Sequence, residues 1–77
     1  MLQIEDFILK FKEQFIDASQ IQIDSDTKFR ELQSWDSLTA MSILVMLKDE
    51  FGIDMELDDF KNMNTVRDVY VFCKQKS

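Results

Sequence analysis

Residues 35–51 read WDSLTAMSILVMLKDEF, and the rest of the predicted structure is organised around this segment. The carboxylate of Asp36 can accept hydrogen bonds from the free amides of the turn that follows it. A helix is therefore predicted over residues 36–51, with Ser37 in its first turn and the Ser37 hydroxyl near the surface. Gly52 comes just after the last periodic residue and is a suitable C-terminal cap.

The predicted helix carries two apolar stripes. With residues placed at about 100° intervals, one group of side chains spans an arc of about 100°, which is the width of a face that packs on a core. This first stripe consists of Ala40, Ile43, Leu44, Leu47 and Phe51. The second stripe, Leu38, Met41 and Val45, recurs at i, i+3 and i+7, with Ser37 and Lys48 between the two stripes. A bundle needs only the first stripe, so the second packs elsewhere in the chain or is offered to a partner.

The N-terminal segment predicts an amphipathic helix over residues 3–16. Its apolar side chains follow i, i+3, i+4, i+7 and i+11. They are Ile4, Phe7, Ile8, Phe11 and Phe15. Leu9 and Ile16 lie off this stripe and are expected to be partly exposed. Residues 17–35 lack a sustained period and are rich in turn formers, so we expect a long loop with a short helical turn at 28–32. Its predicted anchors to the core are Ile21, Ile23, Phe29 and Leu32.

The C-terminal part of the chain predicts one short and one longer helix. Within residues 53–64 we expect one or two helical turns with Leu57 and Phe60 facing inward. Thr65 is predicted to begin a helix over residues 65–75, because Asp68 completes a pattern like a capping box. Its core-facing side chains are Val66, Val69, Tyr70 and Cys73. The prediction is an all-α chain of three main helices plus one short helix, with a long loop between the first two.

The length and composition predict one small domain over residues 1–77. A chain of this length buries about 60–65% of its unfolded surface, and an apolar content of 45% argues against disorder. The net charge of −6 disfavours nucleic acid and anionic membranes and favours partners with basic patches. The single cysteine allows no internal disulfide, which is compatible with a reducing cytosol. We expect a cytoplasmic monomer without a signal peptide or membrane insertion.

The residue types disfavour catalysis and metal binding. The sequence contains no histidine, so a Ser-His-acid triad and a metal site with imidazole ligands are excluded. Asp24 and Asp26 resemble the start of a calcium loop, but Phe29 stands where glycine is needed and Trp35 where a bidentate glutamate is needed. Cys73 is predicted to be a core thiol. We expect no catalytic residue and no metal site.

The residues alone leave two interpretations of Ser37. It can be a helix-starting serine beside the capping Asp36, with no further role. The first turn of a helix also has unsatisfied amides and the positive end of the helix dipole, a setting that tolerates an attached phosphate. The second stripe lies directly downstream of Ser37, which favours a functional interpretation.

Nearly the whole chain resembles the acyl carrier protein family. Members have an apolar residue, a few linker positions and then Asp-Ser-Leu at the start of the second helix, and residues 29–38 here read FRELQSWDSL. The second helix of the family ends in acidic residues and phenylalanine, as KDEF does at 48–51. A Thr-Val pair commonly starts the last helix of the family, as Thr65-Val66 does here.

The resemblance implies an acyl-carrier-like four-helix bundle that is not itself an enzyme. Ser37 would carry phosphopantetheine, transferred from coenzyme A by a separate phosphopantetheinyl transferase. The thiol of that arm would hold acyl groups as thioesters for acyl-transferring or acyl-activating enzymes, as in fatty acid or lipid biosynthesis, and a gap in the bundle would shelter an acyl chain. The residues expected to contact partners are Asp36, Leu38, Met41, Val45 and Asp49, with Glu50 adding charge.

The chain departs from the family members of primary fatty acid synthesis at two places. Those proteins usually have glycine shortly before Asp-Ser-Leu, where this chain has Ser34-Trp35. They also have acidic residues along the second helix, where this chain has Thr39, Ser42 and Lys48. These differences favour a specialised carrier for a dedicated pathway. The alternatives are an aminoacyl or peptidyl carrier, and an unmodified helical adaptor that binds a partner helix through the second stripe.

Overall fold

The computed structural model describes residues 3–76, which form an all-α bundle with four α-helices. The helices are α1 (Ile4–Lys12), α2 (Ser37–Phe51), α3 (Leu57–Phe60) and α4 (Val66–Lys76). The long loop between α1 and α2 contains two short 3₁₀ turns, Ala18–Gln20 and Phe29–Glu31. The predicted order of three main helices plus one short helix is confirmed. Within residues 3–76, no helix is long and apolar enough to cross a membrane.

The α1 helix ends at Lys12, earlier than the predicted residue 16. The backbone N–H groups of Gln14 and Phe15 bond to carbonyls three residues back, at 3.2 and 3.1 Å, so the chain tightens beyond the helix. This tighter turn still directs Phe15 into the core, where it joins the buried Phe7 and Phe11. Leu9 and Ile16 are exposed, as predicted.

Both ends of α2 have the predicted caps. The Asp36 Oδ1 atom accepts a hydrogen bond from the Thr39 backbone N–H at 2.8 Å. Gly52 has a left-handed φ of 68° at the C-terminal end. Its N–H bonds to the Lys48 carbonyl at 3.0 Å, and that of Ile53 bonds to the Leu47 carbonyl at 3.0 Å. This paired arrangement satisfies carbonyls that the helix leaves free.

The buried face of α2 is rotated from the predicted one. Thr39, Ile43, Met46 and Leu47 are buried, whereas Ala40, Leu44 and Phe51 of the first stripe are only half-buried. Sequence hydropathy placed Thr39 outside the core, but its side chain hydrogen-bonds the Asp36 carboxylate, so the polar group has a partner. Thr39 therefore does not belong to the partner-facing surface on which the sequence placed it.

The prediction that Leu57 faces the core is wrong. Its side chain is 57% exposed, whereas Phe60 is buried as expected. The chain before α3 takes an extended course, and Ile53 and Met55 occupy the inward positions there. A helix of four residues has only one turn, and its first residue lies at the edge of the packed region.

Contacts far apart in sequence hold the long loop against α4. Phe29 is fully buried, and the other predicted anchors of the loop are half-buried against the core. The Ser25 and Thr27 carbonyls accept hydrogen bonds from the backbone N–H groups of Arg67 and Val66, at 2.8 and 3.2 Å. The Asp24 Oδ1 atom accepts from the Asp26 N–H at 2.9 Å, so this carboxylate closes a local turn.

The predicted start of α4 is confirmed. The Thr65 Oγ1 atom accepts a hydrogen bond from the Asp68 N–H at 3.1 Å, and the Asp68 Oδ2 atom accepts from the Thr65 N–H at 3.1 Å. These reciprocal bonds form a capping box. Val66, Val69 and Cys73 are buried and Tyr70 is half-buried, so the predicted face packs on the core.

Candidate functional site

Ser37 is the first residue of α2 and is exposed. The preceding residue, Asp36, is extended, with φ −155° and ψ 179°, and this geometry directs the chain out of the loop and into the helix. The Ser37 hydroxyl has no hydrogen-bond partner among residues 3–76. The hydroxyl is therefore not committed to the fold, and the residue that carries it is open to solvent.

Asp36 is also exposed and acts as the N-cap of α2. Hydrogen bonds from the backbone N–H and then from the side chain of Thr39 lower the pKa of Asp36. The carboxylate is consequently ionised at neutral pH, next to the positive end of the helix dipole. The Leu38 backbone N–H also contributes to the lowered pKa, so the carboxylate interacts with more than one free amide of the first turn.

The second stripe is not part of the core. Leu38, Met41 and Val45 are 78%, 52% and 54% exposed, which confirms that the bundle does not need them. They line an open groove of about 620 Å³ that runs along the outer surface of α2. Asp49 lines the same groove, so the structure brings together four of the predicted partner-contact residues. Asp36 lies at the start of the helix, beside Ser37.

Two residues that the sequence did not single out complete this groove. Gln14, just beyond α1, lines its side, and the buried Met46 lines it from the core. Met46 is one of the apolar residues of α2 and lies between the two stripes on the helix surface. This position could have indicated that it borders the groove. No feature of the sequence singles out Gln14, because its position beside α2 depends on how α1 ends.

An aromatic cluster fills the bundle beneath the start of α2. The ring centroid of Trp35 lies 5.1 Å from that of Phe29 and 6.0 Å from that of Phe60, and the Phe29 and Phe60 rings stack at 5.6 Å. The Arg30 guanidinium lies 5.0–5.5 Å from all three ring centroids. It also donates hydrogen bonds to the Met63 carbonyl at 2.9 Å and to the Phe60 carbonyl.

Cys73 is a core thiol, as predicted. It is fully buried in α4, and this burial raises its pKa to about 11. A thiol with so high a pKa is almost entirely protonated at neutral pH and is a poor nucleophile. Any reactive thiol of the functional protein must therefore come from an attached group.

A helical bundle with an exposed serine at the start of α2 defines a class of protein, and comparison of the sequence with known protein families identifies that class. The family model described as "Phosphopantetheine attachment site" matches residues 10–72, and the chain belongs to this family of carrier domains. Within it, the curated relatives are acyl carrier proteins. That of Rickettsia typhi is 26% identical over 74 residues, covering 96% of this chain and 86% of the relative. That of Buchnera aphidicola subsp. Acyrthosiphon pisum is 29% identical over 77 residues, covering 100% and 96%. No solved structure matches the chain significantly.

Family membership implies a covalently attached phosphopantetheine and a carrier role without enzymatic activity. When bound, this group supplies a thiol on a long flexible arm. The residues at the start of α2 fit its attachment, because Ser37 is exposed in the first turn of the helix, its hydroxyl is uncommitted, and the positive end of the helix dipole favours a phosphate there.

Proposed function

We propose that Ser37 carries phosphopantetheine as a phosphodiester on its Oγ atom and that the protein presents acyl groups as thioesters to biosynthetic enzymes. This proposal rests on the exposure of Ser37 at the capped start of α2. The chain in which this serine lies belongs to the phosphopantetheine attachment family. A tethered acyl group reaches a high effective concentration at the active site of each partner that the carrier binds.

The partners in this proposal are a phosphopantetheinyl transferase and acyl-transferring or acyl-activating enzymes. Leu38, Met41 and Val45 supply exposed apolar surface next to Ser37, and Asp36 and Asp49 supply negative charge. A net charge of −6 favours docking to basic patches and accelerates encounter with them. A cytoplasmic location is part of the proposal, because a reducing compartment keeps the thiol of the arm free.

We further propose that the carrier serves a dedicated pathway. Ser42 and Lys48 are exposed on α2, and Lys48 pairs with Asp54 at 2.9 Å. These residues make the partner-facing surface less acidic than that of primary fatty acid carriers. Trp35, beside the attachment site, also contributes a large ring to the cluster beneath it. An aminoacyl or peptidyl carrier would have the same fold and would use Ser37 in the same way. The kind of activating enzyme that loads the arm therefore distinguishes such a carrier from an acyl carrier.

The decisive experiment is modification with coenzyme A and a broad-specificity phosphopantetheinyl transferase, followed by intact mass measurement. The unaltered protein should gain one phosphopantetheine and the Ser37→Ala variant none. Ser19→Ala, which removes an exposed serine of the loop between α1 and α2, is the control and should be modified normally. An unmodified protein across several transferases would favour the adaptor interpretation.

Thiol titration offers a second readout of the same experiment. Because the only cysteine is buried and its pKa is raised, the folded, unmodified protein should react slowly with a thiol reagent. The modified protein should show one fast-reacting thiol, and denaturation should add Cys73 as a second. A fast thiol in unmodified, folded protein would contradict the burial of Cys73.

A further inference from the structure

The α3 helix is too short to be stable without contacts from the rest of the chain. It has a single turn, and a helix of that length does not persist by itself in water. Leu57, Asp58 and Asp59 are exposed, so Phe60 alone of its four residues is buried in the core. The place of α3 in the bundle therefore depends on Phe60 and on the groups that bind the end of the helix.

Arg30 binds the end of α3 from the loop that precedes α2. Its Nε atom donates a hydrogen bond to the Met63 carbonyl at 2.9 Å, and its Nη2 atom donates to the Phe60 carbonyl. A helix end leaves carbonyl groups without partners from the helix itself, and a charged donor binds them more strongly than a neutral one. The two bonds span 33 and 30 residues of sequence, so one side chain of the loop holds α3 in place.

The same guanidinium lies against rings that support the start of α2. It is 5.5 Å from the Trp35 ring centroid and 5.0 Å from that of Phe60. The two rings are 6.0 Å apart, and the Trp35 backbone N–H bonds to the Leu32 carbonyl at 3.0 Å. Trp35 is followed directly by Asp36 and Ser37. Movement of Phe60 with α3 would therefore remove packing from the residue before the cap of α2.

The three longer helices are joined by contacts that do not include α3. The Phe7 ring of α1 lies 5.7 Å from the Phe51 ring of α2 and 5.4 Å from the Tyr70 ring of α4. Val69 and Cys73 of α4 are fully buried as well. Opening of α3 leaves these contacts in place, so it costs less free energy than unfolding of the whole domain.

We propose that Arg30 is a latch between α3 and the start of α2: α3 opens and closes as one unit, and its state is transmitted to the turn that carries Ser37. In the closed state, the guanidinium binds its two carbonyl partners and Trp35 packs on Phe60. In the open state, the guanidinium loses these partners, Phe60 leaves the rings, and the Asp36 cap opens with them. The latch belongs to the unmodified chain and does not depend on whether Ser37 carries an arm.

Amide hydrogen exchange, followed by NMR on the unmodified protein, tests the latch. The backbone N–H groups of Lys61 and Met63 bond to the Leu57 and Phe60 carbonyls, so their exchange measures the opening of α3. The amide of the buried Cys73 measures unfolding of the core. In the unaltered protein the α3 amides should exchange faster than that of Cys73.

The turn before Ser37 should exchange together with α3. The Trp35 amide bonds to a carbonyl of the loop, and the Thr39 amide bonds to the Asp36 carboxylate at 2.8 Å. Both bonds open with α3 in the proposed mechanism. The Trp35 and Thr39 amides should therefore share the opening equilibrium of the α3 amides and respond to the same substitutions.

Two arginine variants separate the latch from a general loss of stability. Arg30→Gln removes contacts that only the closed state makes, so exchange of the α3 amides should accelerate about 10-fold. Arg67→Gln is the matched control, because Arg67 pairs with Asp26 at 2.9 Å and donates to the Ser25 hydroxyl at 3.0 Å. Opening of α3 leaves those contacts in place. This variant should accelerate exchange at Cys73 and leave the α3 amides unchanged.

Arg30→Lys keeps the positive charge but lacks the planar fork that reaches two carbonyls, so it should accelerate exchange less than Arg30→Gln. It also keeps the test readable when Arg30→Gln does not fold. In the unaltered protein, α3 amides that exchange as slowly as Cys73 would overturn the proposal, because α3 would then not open separately. Trp35 and Thr39 amides that follow Cys73, or that respond to neither variant, would also overturn it. Intact mass tests the role of Ser37 separately, and failure of that role leaves the latch unaffected.

Discussion

At the scale of single residues, two aspartates cap the starts of helices with hydrogen bonds that favour their ionised form. Bonds from Thr39 lower the pKa of Asp36, and bonds from the backbone N–H groups of Asn64 and Thr65 lower that of Asp68. Both carboxylates therefore bind a proton less tightly in the folded than in the unfolded state. Their contribution to stability is complete above the unfolded pKa and is lost as the pH falls through the folded value.

This difference predicts acid sensitivity. Stability should decline below about pH 4, and Asp36→Asn should reduce the decline, because asparagine also caps helices but does not titrate there. Urea unfolding at pH 7 and pH 3 measures the effect, with Asp68→Asn as a second test at the start of α4. An Asp36→Asn variant that loses as much stability on acidification as the unaltered protein would contradict it.

At the scale of elements, α2 performs two tasks with different faces. Its inner face packs Ile43 and Leu47 against the aromatic core, and its outer face keeps Leu38, Met41 and Val45 exposed beside Ser37. Burial of the inner face alone is sufficient to hold α2 in the bundle. The outer face is then available for binding, at the cost of exposed apolar surface.

Buried and exposed leucines are expected to respond differently to truncation. Leu47→Ala should lower the free energy of unfolding by about 2–5 kcal/mol, because a fully buried leucine is replaced and a cavity remains. Leu57→Ala, at a largely exposed position of α3, should change it by about 0.5 kcal/mol or less. Urea denaturation followed by circular dichroism measures both. Equal losses would mean that Leu57 belongs to the core after all.

At the scale of the whole molecule, an excess of negative charge opposes compaction. The chain has 15 acidic and 9 basic residues, and the four ion pairs found among residues 3–76 are largely exposed. Exposed pairs contribute little, about 0–1 kcal/mol each. Salt weakens these ion pairs, but it also screens the repulsion among the unpaired carboxylates. The relief of this repulsion is the larger of the two effects.

Salt should consequently raise the melting temperature. The increase is expected between about 0.01 M and 0.1 M salt, where the screening length falls from about 30 to 10 Å. Thermal melts followed by circular dichroism measure it. Asp59→Asn, which removes one exposed carboxylate from α3, should raise the melting temperature at low salt and reduce the response. A melting temperature that stays constant or falls with salt would contradict the balance described here.

Local sequence patterns predict three main helices and one short helix in the observed order, the caps of α2, and a second stripe on α2 that the core does not need. These features depend on residues within a few positions of one another, such as Asp36 with Thr39 or Gly52 with Lys48. Ser37 is proposed as the attachment site on similarly local grounds, because the Asp-Ser-Leu motif and the helix start involve neighbouring residues.

Packing between distant segments sets which face of α2 is buried, where α1 ends and what lines the groove. Met46 is buried although it lies outside the predicted stripe, and Leu57 is exposed although its spacing from Phe60 is helical. Arg30 donates to the Met63 carbonyl, 33 residues away, and Gln14 meets α2 across the groove. Such contacts arise from the packing of distant segments, and neither residue spacing nor hydropathy within one helix specifies them.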